Sequence, residues 1–591
     1  MGTISDKLMR VINTKEDIRQ ALISKGYHIP TSIPFKEYAK MILDLPCNAN
    51  SFPDIEGIVA RYSALGLTNE QMAENPVWKD LTGNRHDLQM KNFAWSGMSG
   101  VGGYVQNFND FRNNATVDKI RIDEQGSNSI KVTILTTGIG NAIYIPKNIY
   151  QFNKSYFIKI SSEGYDEGDL FLSFYAPSTS TATTVKVPLN PNGITEIPAI
   201  KEDDFLAVYL YNAAGKVGSI TIEQLPLYPG FILGDGVDDL AVTEKELNFE
   251  DTYTVYTAFI PFQNNPSRNM ILCGADSKKT FSMQYSSLIY VSFVAGNNYY
   301  INADFVNGLN LFACKRNGNN ICIKNLLTNK VVTGTCGDWV ENAGLYYLWK
   351  NATYASFAKA AIAGQTICNG YFSTDEDDEK VLDWYKKQYP WLFPDQAWTV
   401  VGKTNEDKDR ATIANITGNG NNLVLSNFGF AEGSGYNEEG EYAGYLVTDG
   451  VDDQMYSSNF DLGKDFTIIG EWKFMNNIIA NAGISKALSL FVYNTDNGLR
   501  VFINNTTKGP VLNTKTLKAI CSDGRVYSDD WSEMIINEEQ PITSSKSGLL
   551  IGVNGNNFAK IALKNLAIYN QILSKDDCIK AYNYLQTLKS K

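Results

Sequence analysis

The chain repeats itself, and the repeat limits what it can fold into. DGVDD stands at Asp235–Asp239 and again at Asp449–Asp453. LTGNRHDLQMKNF (Leu81–Phe93) returns as ITGNGNNLVLSNF (Ile416–Phe428), and FAK at Phe357–Lys359 returns at Phe558–Lys560. Solenoid repeats run about 20–50 residues, so a period this long indicates tandem domains. The register carries a second message. Thr82 and Asn92 match Thr417 and Asn427 at an offset of 335, whereas Asp235 matches Asp449 at an offset of only 214. The first copy therefore holds 121 additional residues, all between Gly100 and Gly230, which is enough for a small domain. Phe357 and Ser373 then pair with Phe558 and Ser574 at an offset of 201, a drift that small loop changes explain.

Composition bounds the class. A length of 591 residues is consistent with about four domains. A hydrophobic content of 43% with 20% charged residues is that of a globular chain. The formal net charge is −12, and no Lys/Arg cluster is visible, which disfavours a nucleic-acid partner. No run of about 18 apolar residues occurs, so no membrane insertion is expected. The start, MGTISDKLMRVINTKED, lacks the basic and apolar regions of a signal peptide. Asp6 stands where a myristoylation motif requires Ser or Thr. Folding in a cytosol is the expectation. Eight cysteines occur without a CxxC pair. Cys314 and Cys322 flank Asn317-Gly318-Asn319 symmetrically, so they either face each other across a hairpin or are two buried thiols. A reducing compartment favours the thiols.

Read along the chain, residues 1–49 are helical in pattern: Ile4, Leu8, Val11, Ile18, Ala21 and Leu22 recur at near-helical spacing, and Gly26 suits a stop. A helix pair this short buries little surface alone and should dock, on a partner chain, a copy of itself or the next domain. Residues 50–104 open the first copy, with a short helix expected near Ile58–Ala64. Residues 105–226 form the insertion. KIRID, SIKVTILTT, NAIYI, SYFIKI, DLFLSFYA, TTVKV, FLAVYLYN and SITIEQL alternate and are separated by turn residues, which predicts an inserted β-sandwich. The first copy resumes over 227–390. It ends in a helix capped by Ser373 or Thr374, with acids in its first turn and lysines in its last. Residues 391–591 form the second copy, closing on a similar helix from Ser574.

DGVDD, a DFTI strand at Asp465–Ile468, and the closing FAK…A.YN..LS.DD pattern from Phe558 to Asp577 resemble the concanavalin A-like, laminin-G-type jelly roll. That resemblance covers both copies and implies a mainly β fold: tandem jelly-roll sandwiches, one carrying an inserted β-sandwich, after a short N-terminal helical segment. The opening ISDKLMRVINTKEDIRQALISKG…IPFKEYAKMI is similar to N-terminal helical segments of bacteriophage tail and fibre proteins. TNEDKDRATIANITGNGNNLVLSNFGFAEGSGY resembles structural proteins of phages and prophages of Bacteroides-type bacteria. Together these imply a virion structural protein: a tail fibre, head fibre or capsid decoration. Residues 1–49 would hold other virion proteins and favour a homo-oligomer, and the particle would assemble in the host cytoplasm.

Candidate sites each have a bland alternative. Asp235, Asp238 and Asp239, and likewise Asp449, Asp452 and Asp453, supply three clustered carboxylates, as Ca²⁺ requires. A tight turn accounts for them better, with Gly236 and Gly450 at positive φ and the carboxylates bonded to nearby N–H groups. No metal ligand or cofactor is therefore assigned. TGNRHDL and TGNGNNL read as Gly/Asn turns, and His86 has Asn421 as its counterpart. With His28 the only other histidine, a His-bearing triad or a multi-histidine zinc site is hard to assemble. Glycosidase chemistry needs two positioned carboxylates. Glu438, Glu439 and Glu441 come nearest, but they look like a solvated loop with no match in the first copy, and no catalytic residue is assigned. The jelly-roll resemblance makes host-surface polysaccharide the natural ligand, held on exposed aromatics. Tyr299, Tyr300 and Trp339 are candidates, with core packing as the competing account. A non-enzymatic virion adhesin or decoration protein is the expectation. A glycan-degrading virion enzyme and a bacterial surface adhesin are the alternatives, and the inserted segment is where the two copies would differ in function.

Overall fold

The computed structural model describes residues 52–588 apart from short internal stretches, the longest being 263–269, 276–280, 339–343, 476–483, 504–515 and 536–544. The helical reading of residues 1–49 lies outside the described residues. Elsewhere the chain is predominantly β, built of antiparallel sheets. Alternation produces them: along Ser129–Ile134 the buried Ile130, Val132 and Ile134 are interleaved with the more exposed Ser129, Lys131 and Thr133.

The sequence repeat has a counterpart in strand order. In the first copy one sheet runs Lys330–Thr335, Asn320–Asn325, Asn310–Asn317, Thr252–Pro261, Lys359–Asn369, Ile232–Asp235, Gly100–Val101. In the second the order is Glu533–Ile535, Arg525–Ser528, Thr516–Cys521, Thr467–Phe474, Ile561–Tyr569, Tyr445–Val447, Gly435–Asn437. Each long closing strand also takes one more partner, Ile58–Ser63 in the first copy and Gln396–Thr399 in the second. A second sheet faces each of these. The first copy buries Val255, Phe259, Phe312 and Ile321 against Met283, Val291 and Leu348. The second buries Ile468, Trp472 and Leu563 against Leu425, Met455 and Ile551.

One expectation is corrected here, and one pair of alternatives is decided. Ile58–Ser63 is a strand, not a helix: Ala60 and Tyr62 are buried, and the segment pairs with Gly364–Cys368. Its β-branched and aromatic residues suit the pleat, and a bulge between Ile58 and Ala60 turns Ile58 to the outer apolar cluster while Ala60 and Tyr62 enter the core. Cys314 and Cys322 do not face each other. Asn317 pairs with Asn320, which sets Cys314 opposite Ile323 and Cys322 opposite Lys315. A one-residue difference in register puts the two thiols on opposite faces of the sheet. Neither cysteine is in a disulfide; Cys314 lies in the core and Cys322 is partly exposed.

Three helices are described: α1 (Asn69–Glu74), α2 (Asp375–Gln388) and α3 (Lys575–Gln586). Thr374 caps α2 in a capping box with Asp377, and Ser574 caps α3. Among the described residues no helix is long and apolar enough to cross a membrane. The outward faces of the two long sheets meet through α2, α3 and the connecting Trp391 and Leu392. They share one apolar cluster that includes Tyr256, Ala361, Tyr385, Ile469, Tyr569, Tyr582 and Leu585.

Candidate functional site

Between Arg112 and Gln224 the chain forms two five-stranded sheets. One runs Val185–Pro188, Leu170–Tyr175, Ala207–Asn212, Asn141–Pro146, Arg112–Asn113. The other runs Ile194–Ile197, Tyr156–Glu163, Gly218–Gln224, Ser129–Ile134, Ile120–Gln125. The inward residues of the first sheet, among them Ile143, Ile145, Leu172, Phe174, Val208 and Leu210, pack against Ile130, Val132, Ile158 and Ile220 of the second. With a period of two, the residues between them must point outward. Here those outward residues are aromatic: Tyr144, Phe171, Tyr175, Tyr209 and Tyr211.

Pairing register gathers them. Arg112 lies opposite Tyr144, Tyr144 opposite Tyr209, Tyr209 opposite Ser173, and Ser173 opposite Lys186. The row crosses all five strands with a cation at each end. In the adjacent row Tyr211 lies opposite Phe171. The ring centres of Tyr144 and Tyr209 are 5.8 Å apart, and Tyr175 meets Tyr209 edge-on at 6.0 Å. Phe171 and Tyr211 are 6.5 Å apart, and the Lys186 Nζ sits 4.2 Å above the Tyr211 ring. Tyr175 is 40% exposed, and Tyr144, Phe171, Tyr209 and Tyr211 are half-buried. Burial, and then the neighbouring Tyr144 and Tyr175 phenols, raise the Tyr209 pKa, so its hydroxyl remains a hydrogen-bond donor near neutrality.

The residues singled out from the sequence are placed as follows. In both DGVDD segments the first carboxylate accepts from the valine N–H at 2.7 Å, and the last accepts from the N–H of the first aspartate at 2.8 Å. Gly236 and Gly450 lie at φ 80° and 78°. One oxygen from each of Asp235, Asp238 and Asp239 comes within 4.8 Å of the others, as in the second triad, so these are the groups that could meet a cation. Burial pushes the Asp239 carboxyl up to about 7 against hydrogen bonds from the Asp235 N–H and Ser99, with Asp235 and Asp238 adding repulsion. Burial likewise raises Asp453. The hydrogen bonds are those of a turn.

His86 and its counterpart Asn421 differ in side chain. What recurs is the backbone: Tyr62 donates to the His86 carbonyl at 2.6 Å and Trp398 to the Asn421 carbonyl at 2.8 Å. Glu438 and Glu439 are exposed, while Glu441 and Trp339 lie outside the described residues, as do the side chains of Tyr299 and Tyr300.

A second feature was not legible in the sequence. A cleft of about 1240 Å³ separates the inserted sheets from the second copy, with Glu196 on one wall and Glu471, Lys518 and Lys564 on the other. Glu471 accepts from the Tyr445 hydroxyl and lies 3.2 Å from Lys564. Glu196 lies 3.8 Å from Lys518, whose Nζ is also within 4.6–5.8 Å of the Tyr582, Phe157 and Trp531 ring centres. Burial and then Glu471 raise the Glu196 pKa. At Glu471 burial is outweighed by Lys564, Tyr445 and Lys473, and the pKa is lowered.

No family model and no curated protein matches the chain. Among solved structures it is similar to the botulinum neurotoxin serotype C1 binding domain at 9% identity, covering 61% of this chain and 90% of that one, with a TM-score of 0.27. The binding domain of botulinum neurotoxin DC in complex with SialylT matches at 8% identity, covering 55% and 87%, with a TM-score of 0.24. Domain 4 of AbnA, a GH43 extracellular arabinanase from Geobacillus stearothermophilus, in complex with arabinotriose, matches at 16% identity, covering 27% and 82%, with a TM-score of 0.19. Likenesses this slight say nothing about what the present chain binds.

Proposed function

We propose that this protein is a non-enzymatic, glycan-binding structural component of a phage particle, and that the aromatic face of the inserted sheet holds the glycan. The observation that supports the glycan half is the gathering of Tyr144, Phe171, Tyr175, Tyr209 and Tyr211 on the outward side of one sheet. An aromatic side chain normally contributes most when buried. Here five lie outside the inserted core. A sugar ring offers C–H groups on its face and hydroxyls at its rim, which suits tyrosine, with its apolar body and polar tip. The particle half rests on the phage resemblance of the opening segment and of the stretch from Thr404 to Tyr436.

Tyr209, at the centre of the row, tests the glycan half. Tyr209→Ala should weaken binding to host-surface polysaccharide about tenfold, the loss of an aromatic contact worth ~1–1.5 kcal/mol, in a variant that remains folded by circular dichroism. Unchanged affinity would remove this face from the proposal. The particle half is tested by imaging particles that lack the protein to see which appendage disappears. Incorporation that survives deletion of residues 1–49 would defeat the anchoring role.

A depolymerase reading draws on the two carboxylates of the cleft. Glu196 and Glu471 each engage a lysine, which suits holding two units together better than moving a proton. Release of oligosaccharide from incubated capsular polymer would reverse that preference.

A further inference from the structure

We infer that the glycan held on the aromatic face is anionic, carrying carboxylate or sulfate groups that meet Arg112 at one end of the row and Lys186 at the other. This rests on the glycan reading of the same face. The argument begins with register. Arg112, Tyr144, Tyr209, Ser173 and Lys186 are successive cross-strand partners, so their side chains share one side of the sheet. Four strand spacings separate the two cations, about 19 Å. That is the span of a short oligosaccharide laid across the strands, with tyrosine beneath its middle and a positive charge under each end.

The charges are available for such a ligand. Both residues are exposed, and among the described residues neither forms an ion pair. The Lys186 ammonium lies over the Tyr211 ring, where the attraction is weak enough at an exposed site to leave the cation free to bind. Three carboxylates of the inserted unit have cations other than these two. Asp166 and Asp169 lie 2.7 and 2.6 Å from Lys216, and Glu202 lies 3.7 Å from Lys147. The setting sharpens the point. A chain of formal charge −12 repels polyanions at long range, so any attraction for one must be local. Two unneutralised cations bracketing a tyrosine row supply it.

The test compares matched polymers: polygalacturonate against its carboxyl-reduced form, and dextran sulfate against dextran, titrated into the full-length protein. The two pairs distinguish carboxylate from sulfate. At least one acidic polymer should bind about tenfold more tightly than its neutral partner, two exposed charge contacts giving a gain of that order. The gap should close as salt rises toward about 1 M, where the Debye length falls to about 3 Å. Arg112→Gln/Lys186→Gln should abolish the preference, so that each acidic polymer binds no more tightly than its neutral partner. The inference is overturned if each neutral polymer binds as well as its acidic partner, or if the preference survives in the double variant. Binding lost on Tyr209→Ala but indifferent to charge would leave the glycan reading standing alone. No polymer bound, or binding indifferent to Tyr209→Ala, would defeat both.

Discussion

At the scale of single residues, the two copies agree in places where a side chain replaces a piece of backbone. Asn69 accepts from the Val101 N–H at 2.7 Å and donates to its carbonyl at 3.2 Å. Asn405 does the same for Tyr436, at 2.8 Å in both directions. Each asparagine is in effect one residue of an extra strand. Removing it strands an N–H and a carbonyl together. Asn69→Ala and Asn405→Ala should each cost about 1–3 kcal/mol in denaturant unfolding, and no shift of midpoint would refute the role. Asp239 makes a pH-dependent contribution. Its folded pKa of about 7 exceeds the ordinary carboxylate value. The fold therefore favours the protonated form: that stabilisation is complete below about pH 4 and is lost as pH rises through about 7. Asp239→Asn keeps an oxygen for the Asp235 N–H and cannot ionise. It should flatten the stability profile between pH 4 and 8, and parallel melting profiles for the two proteins would refute the assignment.

At the scale of elements, two helices were legible from their caps, and α1, although Thr68 caps it, was not. Thr374 with Asp377, and Ser574, mark the starts of α2 and α3 in the sequence and in the fold. What anchors α2 was not legible. Lys315 and Asp378, with side chains 4% and 2% exposed, meet at 2.7 Å beneath the helix, and Tyr256 donates to the same carboxylate at 3.0 Å. Lys315 and Asp378 are 63 positions apart in the chain, and only the packing of α2 on the sheet joins them. Lys315→Met leaves the buried Asp378 with Lys324 at 3.1 Å as its remaining cation. The expected loss is about 3 kcal/mol, the lower part of the range for a broken buried pair, and Lys315→Met/Asp378→Leu should recover most of it. Equal urea midpoints for the wild type and the single variant would contradict this. The placement of Cys314 and Cys322 belongs to the same scale. Symmetry about a turn in sequence does not fix pairing register, and a one-residue slip reverses every face.

At the scale of the whole molecule, α3 is where the parts meet. Tyr584 of the second copy accepts from the Leu309 N–H of the first at 2.8 Å, and Tyr582 meets Phe157 of the inserted sheets at 5.5 Å. Lys518 closes the junction, between Glu196 and three aromatic rings. Lys518→Ala should loosen the inserted sheets from the second copy before either unfolds. Amide exchange in Ile194–Ile197 and α3 should quicken about tenfold, while exchange in Ile130–Ile134 stays unchanged. Uniform acceleration throughout the chain would instead indicate global destabilisation.

The sequence by itself determined what is local or repeated. Alternation in NAIYI, DLFLSFYA and FLAVYLYN specified strands, and the recurrence of DGVDD and TGN specified the same turns twice. Both signals lie within a few residues of chain, where steric preference and short hydrogen bonds act. The tertiary structure alone decided which strands are neighbours, and therefore the aromatic row. Tyr144, Ser173, Lys186 and Tyr209 each read as an ordinary outward position on its own strand. They form one face with Arg112 only because antiparallel pairing sets them side by side, and backbone hydrogen bonds between distant segments fix that register.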